Sequence, residues 1–374
     1  MNVGINLISL NNNKPTGAFR YIKLIIEGLY RYNLCNCHIY IYKQENIPDS
    51  VIDVPSNIDF EIVNVPCCGR GFKRIIFEQT AFYRYIKNCD VFYSYCTSLP
   101  IFLRTRKVIT IHDVYFLTDK ERYPIIQRMY LKLMTKICIA ISDKILTVSE
   151  YSKNQICKYY NVPENRIAIT YNFVQQKKIN IRVPNNILDE SGARVDLCKP
   201  YYLYIGNIQP GKNIIGMVQG FEKFNVQNKF LLLIVGKKGF NGESILRQIR
   251  NYSNIYILGY QPRDTVEYLL SNTYATVLLS FCEGFGIPPI EGFRYNKPTL
   301  VSKTTSLPEV AGSAGILVDP YSIDNICAGF RKMEEEYKIL KKNTSKQLLK
   351  FSPSISIETF LGSLGIKFSK IQAK

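Results

Sequence analysis

Histidine, Cys-x-x-Cys pairs and long apolar runs are scarce or missing in this chain of 374 residues. His38 and His112 are the only two histidines. The eleven cysteines include the neighbours Cys35/Cys37 and Cys67/Cys68, but no Cys-x-x-Cys, so zinc-finger spacing is excluded. They are expected to be reduced, packed thiols of a cytosolic protein. The longest uninterrupted apolar stretch, Phe230 to Val235, is far too short for a bilayer span of about 20 residues. The first residues, Met1-Asn-Val-Gly-Ile-Asn, carry no basic segment or cleavage site, so no secretory signal is expected. Membrane-spanning, fibrous and disulfide-scaffold classes are set aside.

What is present is globular. Hydrophobic residues make up 46%, aromatic 13% and charged 21%, and the length suits two medium domains. The formal net charge is +18, with an excess of +10 over residues 1–180 and +8 over the rest. A basic excess spread over both halves suits an enzyme of anionic ligands, or a protein resting on an anionic membrane face. Non-specific nucleic-acid binding is the rival class, although no recognition helix, zinc or RNP pattern supports it.

Short apolar runs alternate with helical periodicity. Strands are expected at Val3–Leu10, His38–Tyr42, Phe60–Val65, Val91–Tyr95, Val108–Ile111 and Ile145–Val148. Helices are expected at Tyr21–Tyr32, Lys73–Lys87 and Tyr123–Ala140, with another capped near Ser149. Between Phe173 and Pro200 the sequence turns polar and aperiodic, which marks an interdomain connection. The alternation then restarts with strands at Tyr201–Ile205, Phe230–Val235, Ile255–Leu258, Ala275–Leu279 and Thr299–Val301. Helices are expected from Asn213, near Glu243 and from Asp264. Strands separated by helices predict parallel sheets, here two doubly wound sheets in tandem facing across a cleft.

The segment from Ser280 to Gly292 carries the strongest chemical signal. A strand runs into a loop holding Glu283, Gly284, Phe285 and Gly286, then Pro288 and Pro289 open a helix bearing Glu291. Free amides at such a helix start favour a phosphate, and carboxylates accept hydrogen bonds from sugar or ribose hydroxyls. Two glutamates eight positions apart mean little alone. With 18 glutamates in the chain, chance supplies roughly one such pair, so the surrounding strand, glycines and prolines carry the signal.

In that context the segment resembles the Glu-x7-Glu signature of retaining glycosyltransferases of family four (glycosyltransferase group 1), which adopt the GT-B fold. Thr16–Tyr21 resembles their N-terminal glycine loop, and Thr110-Ile111-His112-Asp113 a histidine at a strand end. Phe77-Glu78-Gln79 with Leu99-Pro100 is similar to a subset rich in mannosyltransferases. Val148–Ser152, Asn172, Gly206–Asn213, Thr305–Gly312 and Phe351-Ser352 fit in order. The resemblance implies an α/β protein with two Rossmann-like domains. Residues 1–176 would bind the acceptor and 177–352 the nucleotide-sugar donor, and a C-terminal helix in 353–374 would cross back to the first domain.

The same resemblance implies roles. His112 and Glu283 would be catalytic. Gly17, Lys212, Gly284, Phe285, Gly286 and Glu291 would bind the donor, with Tyr260 at the nucleobase. His38 is read as structural. One departure is plain: Gly211 stands where the family has an arginine before Lys212, with Lys237 and Lys238 as candidate substitutes. A bidentate phosphate donor is thereby lost. No Asp-x-Asp occurs, so metal independence is expected, and the resemblance implies transfer with retention and no cofactor beyond the nucleotide sugar.

By the resemblance of Phe77-Glu78-Gln79 and Ile111-His112-Asp113, GDP-mannose is the first expectation for the donor, and UDP- or dTDP-hexoses the alternative. The expected acceptor is a glycan or lipid-linked oligosaccharide of a bacterial surface polysaccharide. A nucleotide-sugar epimerase on the same fold is a third reading. The segment from Arg70 to Lys87, with Lys73, Arg74 and Arg84 among aromatic and aliphatic residues, is either an acceptor or membrane-contact helix or simply an amphipathic one with a solvated basic side. The location expected is the cytoplasm, with peripheral attachment to the inner face of the membrane, and no nucleic acid as partner.

Overall fold

The central apolar runs in the first half become strands buried on both faces, as a parallel sheet covered by helices demands. In the computed structural model, which describes residues 1–10, 17–69, 71–118, 123–175, 184 and 186–371, the chain divides into two units. One is Met1–Phe173 with Pro353–Lys374, the other Val174–Ser352. The expected boundary between residues 176 and 177 lies outside the described residues.

The first unit contains β1 (Asn2–Asn6), β2 (Tyr32–Leu34), β3 (His38–Gln44), β4 (Phe60–Val65), β5 (Val91–Ser94), β6 (Arg106–Thr110), β7 (Lys144–Thr147) and β8 (Ile167–Ile169). Among the described residues seven of these form one parallel sheet in the order β4-β3-β1-β5-β6-β7-β8. Its helices are α1 (Gly17–Gly28), α2 (Phe72–Gln79), α3 (Ile125–Ile141) and α4 (Glu150–Tyr160). The cap expected near Ser149 is there: Ser149 Oγ accepts from Ser152 N at 3.0 Å, and Asn161 ends α4 in the left-handed region at φ 52°.

The second unit contains β9 (Tyr201–Ile205), β10 (Leu231–Val235), β11 (Ile255–Gly259), β12 (Ala275–Leu278), β13 (Thr299–Ser302) and β14 (Gly315–Val318), all parallel, in the order β11-β10-β9-β12-β13-β14. Interleaved are α5 (Ile214–Phe224), α6 (Gly242–Ile249), α7 (Arg263–Asn272), α8 (Ile287–Phe293), α9 (Leu307–Ala311) and the long α10 (Ile323–Leu349). Buried Tyr202 is ringed by Phe221, Phe224, Phe230 and Phe330, which fill one face of the sheet. In this strand order the direction of winding reverses between β9 and β12, and in the first sheet between β1 and β5. Crevices at such reversals, at the carboxyl ends of the strands, are where open α/β sheets bind ligands.

Several elements differ from expectation. The first strand stops at Asn6, where Asn6 Oδ1 takes the amide of Ile8 at 3.1 Å and turns the chain. The helix expected over Lys73–Lys87 ends at Gln79. The Gln79 side chain donates to Leu99 O at 2.9 Å and accepts from Ile101 N at 3.0 Å, and Thr80 leaves helical geometry at φ −129° before a 3-10 turn over Ala81–Arg84. The second sheet does not finish at β13, because β14 adds to its edge. The polar connector is not all linker: Ile187 and Val195 are buried in the core of the second unit. The last stretch is α11 (Pro353–Leu364) followed by β15 (Phe368–Lys370), which pairs antiparallel with β2. In the first unit α11 is held by Arg106 Nη2 donating to Ser363 O at 3.0 Å, by Ser356 Oγ donating to Tyr171 O at 2.8 Å, and by Phe360 packed edge-on to Tyr93.

Candidate active site

Two side chains from opposite sides of the reversal in the second sheet meet. After β9 the chain makes a 3-10 turn over Pro210–Lys212, and Asn213 follows in the left-handed region at φ 51°. After β12 it enters the Ser280–Gly286 loop. Phe281 N donates to Gly211 O at 3.0 Å, which fastens one loop to the other. Lys212 Nζ then contacts Glu283 Oε1, and Ser280 Oγ donates to the same oxygen at 2.7 Å. Both charged side chains are mostly covered, at 17% and 15% exposure, so water screens their attraction less than at an open surface.

The loop following β13 grips the glutamate loop from behind. Thr305 Oγ1 accepts from Glu283 N at 3.1 Å, while Ser306 Oγ donates to Glu283 O at 2.7 Å and to Phe285 O at 3.0 Å. Gly286 turns into α8 at φ +97°, where an added Cβ would stand 2.6 Å from Leu307 Cδ2. Phe285 is buried edge-on against Phe351 at 5.3 Å, so its ring is core and its main chain is the part available to a ligand. Beneath the pair lies buried Tyr204, whose hydroxyl donates to Asn207 O at 3.0 Å. Burial first, and then the charge of Glu283, push its pKa well above the ordinary phenol value.

Glu291 sits in a second, deeper cluster. It is 2% exposed and receives Arg263 Nη1 at 2.8 Å. The same guanidinium reaches fully buried Glu267, which Arg294 and the Tyr295 hydroxyl also contact. Desolvation works against charge on Arg263, but the carboxylates of Glu291 and Glu267 outweigh it and raise its pKa. Tyr260, after β11, is exposed, with Lys237 Nζ 4.5 Å from its ring centroid. The structure thus joins Lys212 to Glu283 and gives Glu291 a separate cluster.

In the first unit, Gly17 is the exposed first residue of α1, and a Cβ built there meets nothing within 4 Å. Thr16, before it, lies outside the described residues. His112 follows β6, partly buried, edge-on to Tyr21 with ring centroids 5.2 Å apart. Burial pushes its pKa down to about 4, against a weaker opposing effect of the hydrogen bond to Tyr95. Its Nε2 lies 2.9 Å from Tyr95 O, an oxygen that can only accept. Nε2 therefore carries the proton, and in the neutral ring Nδ1 keeps its lone pair as an acceptor. His38 pairs through Nδ1 with Asp59 at 2.9 Å, at the other end of the sheet.

Two family models cover separate stretches of this chain. Glycosyl transferases group 1 matches residues 191–348, and Glycosyltransferase Family 4 matches residues 15–178. The chain belongs to glycosyltransferase family 4. The chain is 31% identical to O-antigen chain mannosyltransferase B of Escherichia coli over 228 residues, 60% of each chain. It thus spans about 60% of the length of that curated relative. Its fold is that of GT-B glycosyltransferases. Sucrose-phosphate synthase of Thermosynechococcus elongatus superposes with a TM-score of 0.74 at 14% identity, covering 97% of this chain and 98% of that one. HepE of Anabaena, in complex with UDP and glucose, superposes at 0.69 and 13% identity, with 98% and 99% covered.

Sequence reasoning passed over Ser280 and Arg263, the two groups that hold Glu283 and Glu291. Ser280 opens the glutamate loop, and the signal for it is a hydroxyl three residues before a carboxylate. Arg263 lies 28 residues from Glu291, and no local pattern announces it.

Proposed function

We propose that this glycosyltransferase moves a hexose from a nucleotide sugar to a lipid-linked glycan of a bacterial surface polysaccharide, with mannose from GDP-mannose as the first choice. The observation that carries the reading is the Lys212–Glu283 pair at the winding reversal of the second sheet. An ammonium there suits the donor's phosphates, and the carboxylate beside it suits hydroxyls of the sugar being transferred. Likeness to an O-antigen mannosyltransferase supports mannose. The neighbour bound to UDP and glucose supports a UDP-sugar as the second reading.

The reaction retains anomeric configuration. The bond between the sugar C1 and the diphosphate oxygen breaks, and the acceptor hydroxyl oxygen bonds to C1 on the same face. The acceptor's proton passes to the departing phosphate oxygen. Negative charge growing on that phosphate is met by Lys212 and main-chain amides, so no metal is required. His112, neutral at pH 7, accepts a hydroxyl hydrogen bond through Nδ1 and donates no proton to the reaction.

The acceptor's lipid explains a feature of the first unit. Phe72, Phe102, Ile125, Ile126, Met129 and Leu133 are all exposed, on α2, α3 and the loop between β5 and β6. Lys73, Arg104, Lys132 and Lys136 are exposed beside them. Among the described residues of these three stretches the one acidic side chain is Glu78, buried and paired with Arg74. Apolar side chains set among uncompensated cations fit an anionic membrane surface. No helix among the described residues is long and apolar enough to cross a membrane.

The test is to incubate the full chain with GDP-mannose, UDP-hexoses or dTDP-hexoses and a lipid-linked glycan, with and without chelator. Sugar transfer that survives chelation, with the product's anomeric carbon configured as in the donor, supports the reading. Inversion would refute retention, and turnover of the nucleotide sugar without an acceptor would point to an epimerase.

A further inference from the structure

A nucleoside diphosphate brings two to three negative charges, and Lys212 meets them already shared with Glu283. Gly211 beside it offers no side chain, and a Cβ built there meets nothing within 4 Å. That open space invites a cation from a neighbouring strand. We propose that Lys237 supplies the second positive charge of the diphosphate site. The proposal rests on the reading of the second unit as the nucleotide-sugar half.

The backbone puts Lys237 in position. Its loop follows β10, the neighbour of β9, and is joined to the loop that leads to Lys212. Gly206 N donates to Val235 O at 2.9 Å, Ile208 N to Lys237 O at 2.9 Å and Gly239 N to Ile208 O at 2.9 Å. The two loops approach so closely at Gly236 that a Cβ would lie 1.8 Å from Gly206 O. Lys237 therefore lies just past the carboxyl end of β10, beside the loop after β9 that carries Lys212.

The surrounding cations are already committed. Lys238 is shared by Glu190 at 3.4 Å and Glu243 at 3.0 Å, Lys303 pairs with Asp319 at 3.0 Å, and Arg263 serves Glu291 and Glu267. Among the described residues Lys237 has no carboxylate within 4.0 Å. Its ammonium rests over the Tyr260 ring, which holds a cation in place without neutralising it. A phosphate can draw it away from the ring at little cost, whereas Lys238 would first have to leave two carboxylates.

The experiment measures GDP and UDP binding to the full chain by calorimetry, in the wild type and in Lys237→Ala, Lys237→Arg and the double variant Lys237→Ala/Gly211→Arg. Thermal unfolding confirms that each variant folds, as expected because Lys237 is exposed and a Cβ at position 211 meets nothing within 4 Å. Removing one charged phosphate contact is expected to weaken diphosphate binding by roughly 10- to 100-fold. Lys237→Arg should stay near the wild type, and an arginine at position 211 should restore most of the loss. Wild-type affinity in Lys237→Ala, or no recovery in the double variant, overturns the assignment of Lys237 while leaving the donor reading intact. A wild-type chain that binds neither nucleotide overturns both.

Discussion

Lys212 Nζ and Glu283 Oε1 touch, although 71 residues separate them in the chain. Each is the other's counter-ion, and Ser280 adds a hydrogen bond to the same carboxylate oxygen. A donor that takes the ammonium with its phosphate and the carboxylate with its sugar hydroxyls replaces this contact with two of its own. On the proposed reading the pair is therefore both a support for the donor site and a competitor for its ligand.

Glu283→Gln separates these roles. The amide keeps the shape but releases Lys212 from a counter-charge. Sugar transfer is expected to fall by about 100-fold or more, the scale for losing one stabilising group of a transition state. GDP affinity should hold or rise. Steady-state rates and calorimetry on one preparation check this, and undiminished turnover would remove Glu283 from the reaction.

The depressed pKa of His112 makes stability depend on pH with a definite sign. Near pH 7 the ring is neutral in both folded and unfolded chains. As the pH falls below the ordinary value of 6.5, the unfolded chain takes up a proton that the folded one refuses until about pH 4. Stability contributed by the neutral ring is present above pH 6.5 and lost on the way down to pH 4, by at most about 3 kcal/mol. Denaturant midpoints between pH 4 and 7 should fall less steeply in His112→Gln than in the wild type. Parallel slopes would contradict the burial argument.

Arg263 is expected to matter for folding as well as for the site. Arg263→Ala strips Glu291, at 2% exposure, of its guanidinium. Glu267 keeps Arg294 and Tyr295. Breaking a fully buried pair costs about 3–5 kcal/mol, and because Arg263 is half exposed a loss of about 2 kcal/mol is expected. Adding Glu291→Gln should recover part of it, because the amide no longer buries a charge. Urea unfolding of the single and double variants is the measurement.

The exposed apolar and basic face gives a lipid-binding expectation. Ile126→Asp with Met129→Asp should abolish sedimentation with vesicles containing anionic phospholipid, with no loss of thermal stability because both side chains already face solvent. Binding should also weaken as salt is raised and be absent on zwitterionic vesicles. Equal binding to both vesicle types would refute a role for the basic residues.

Periodicity and capping are local properties, and they determined most of the architecture. Alternating apolar runs specified two parallel α/β sheets, and Ser149 marked its helix start through a hydrogen bond spanning three residues. The glutamate loop was legible because strand, glycines and prolines are consecutive. Short edge strands such as β8 and β14 were not, since three or four residues carry too little pattern and their pairing is supplied by neighbours distant in sequence.

What only the tertiary structure decided are contacts between segments far apart in the chain. The break of α2 at Gln79 is set by a loop 20 residues away, and the partner of Glu291 by an arginine 28 residues before it. The meeting of Lys212 with Glu283 follows from the strand order that makes β9 and β12 neighbours. The sequence determined which groups exist and which local shapes they favour. Their pairing depends on how the sheet is wound, a property of the whole folded unit that no stretch of sequence carries alone.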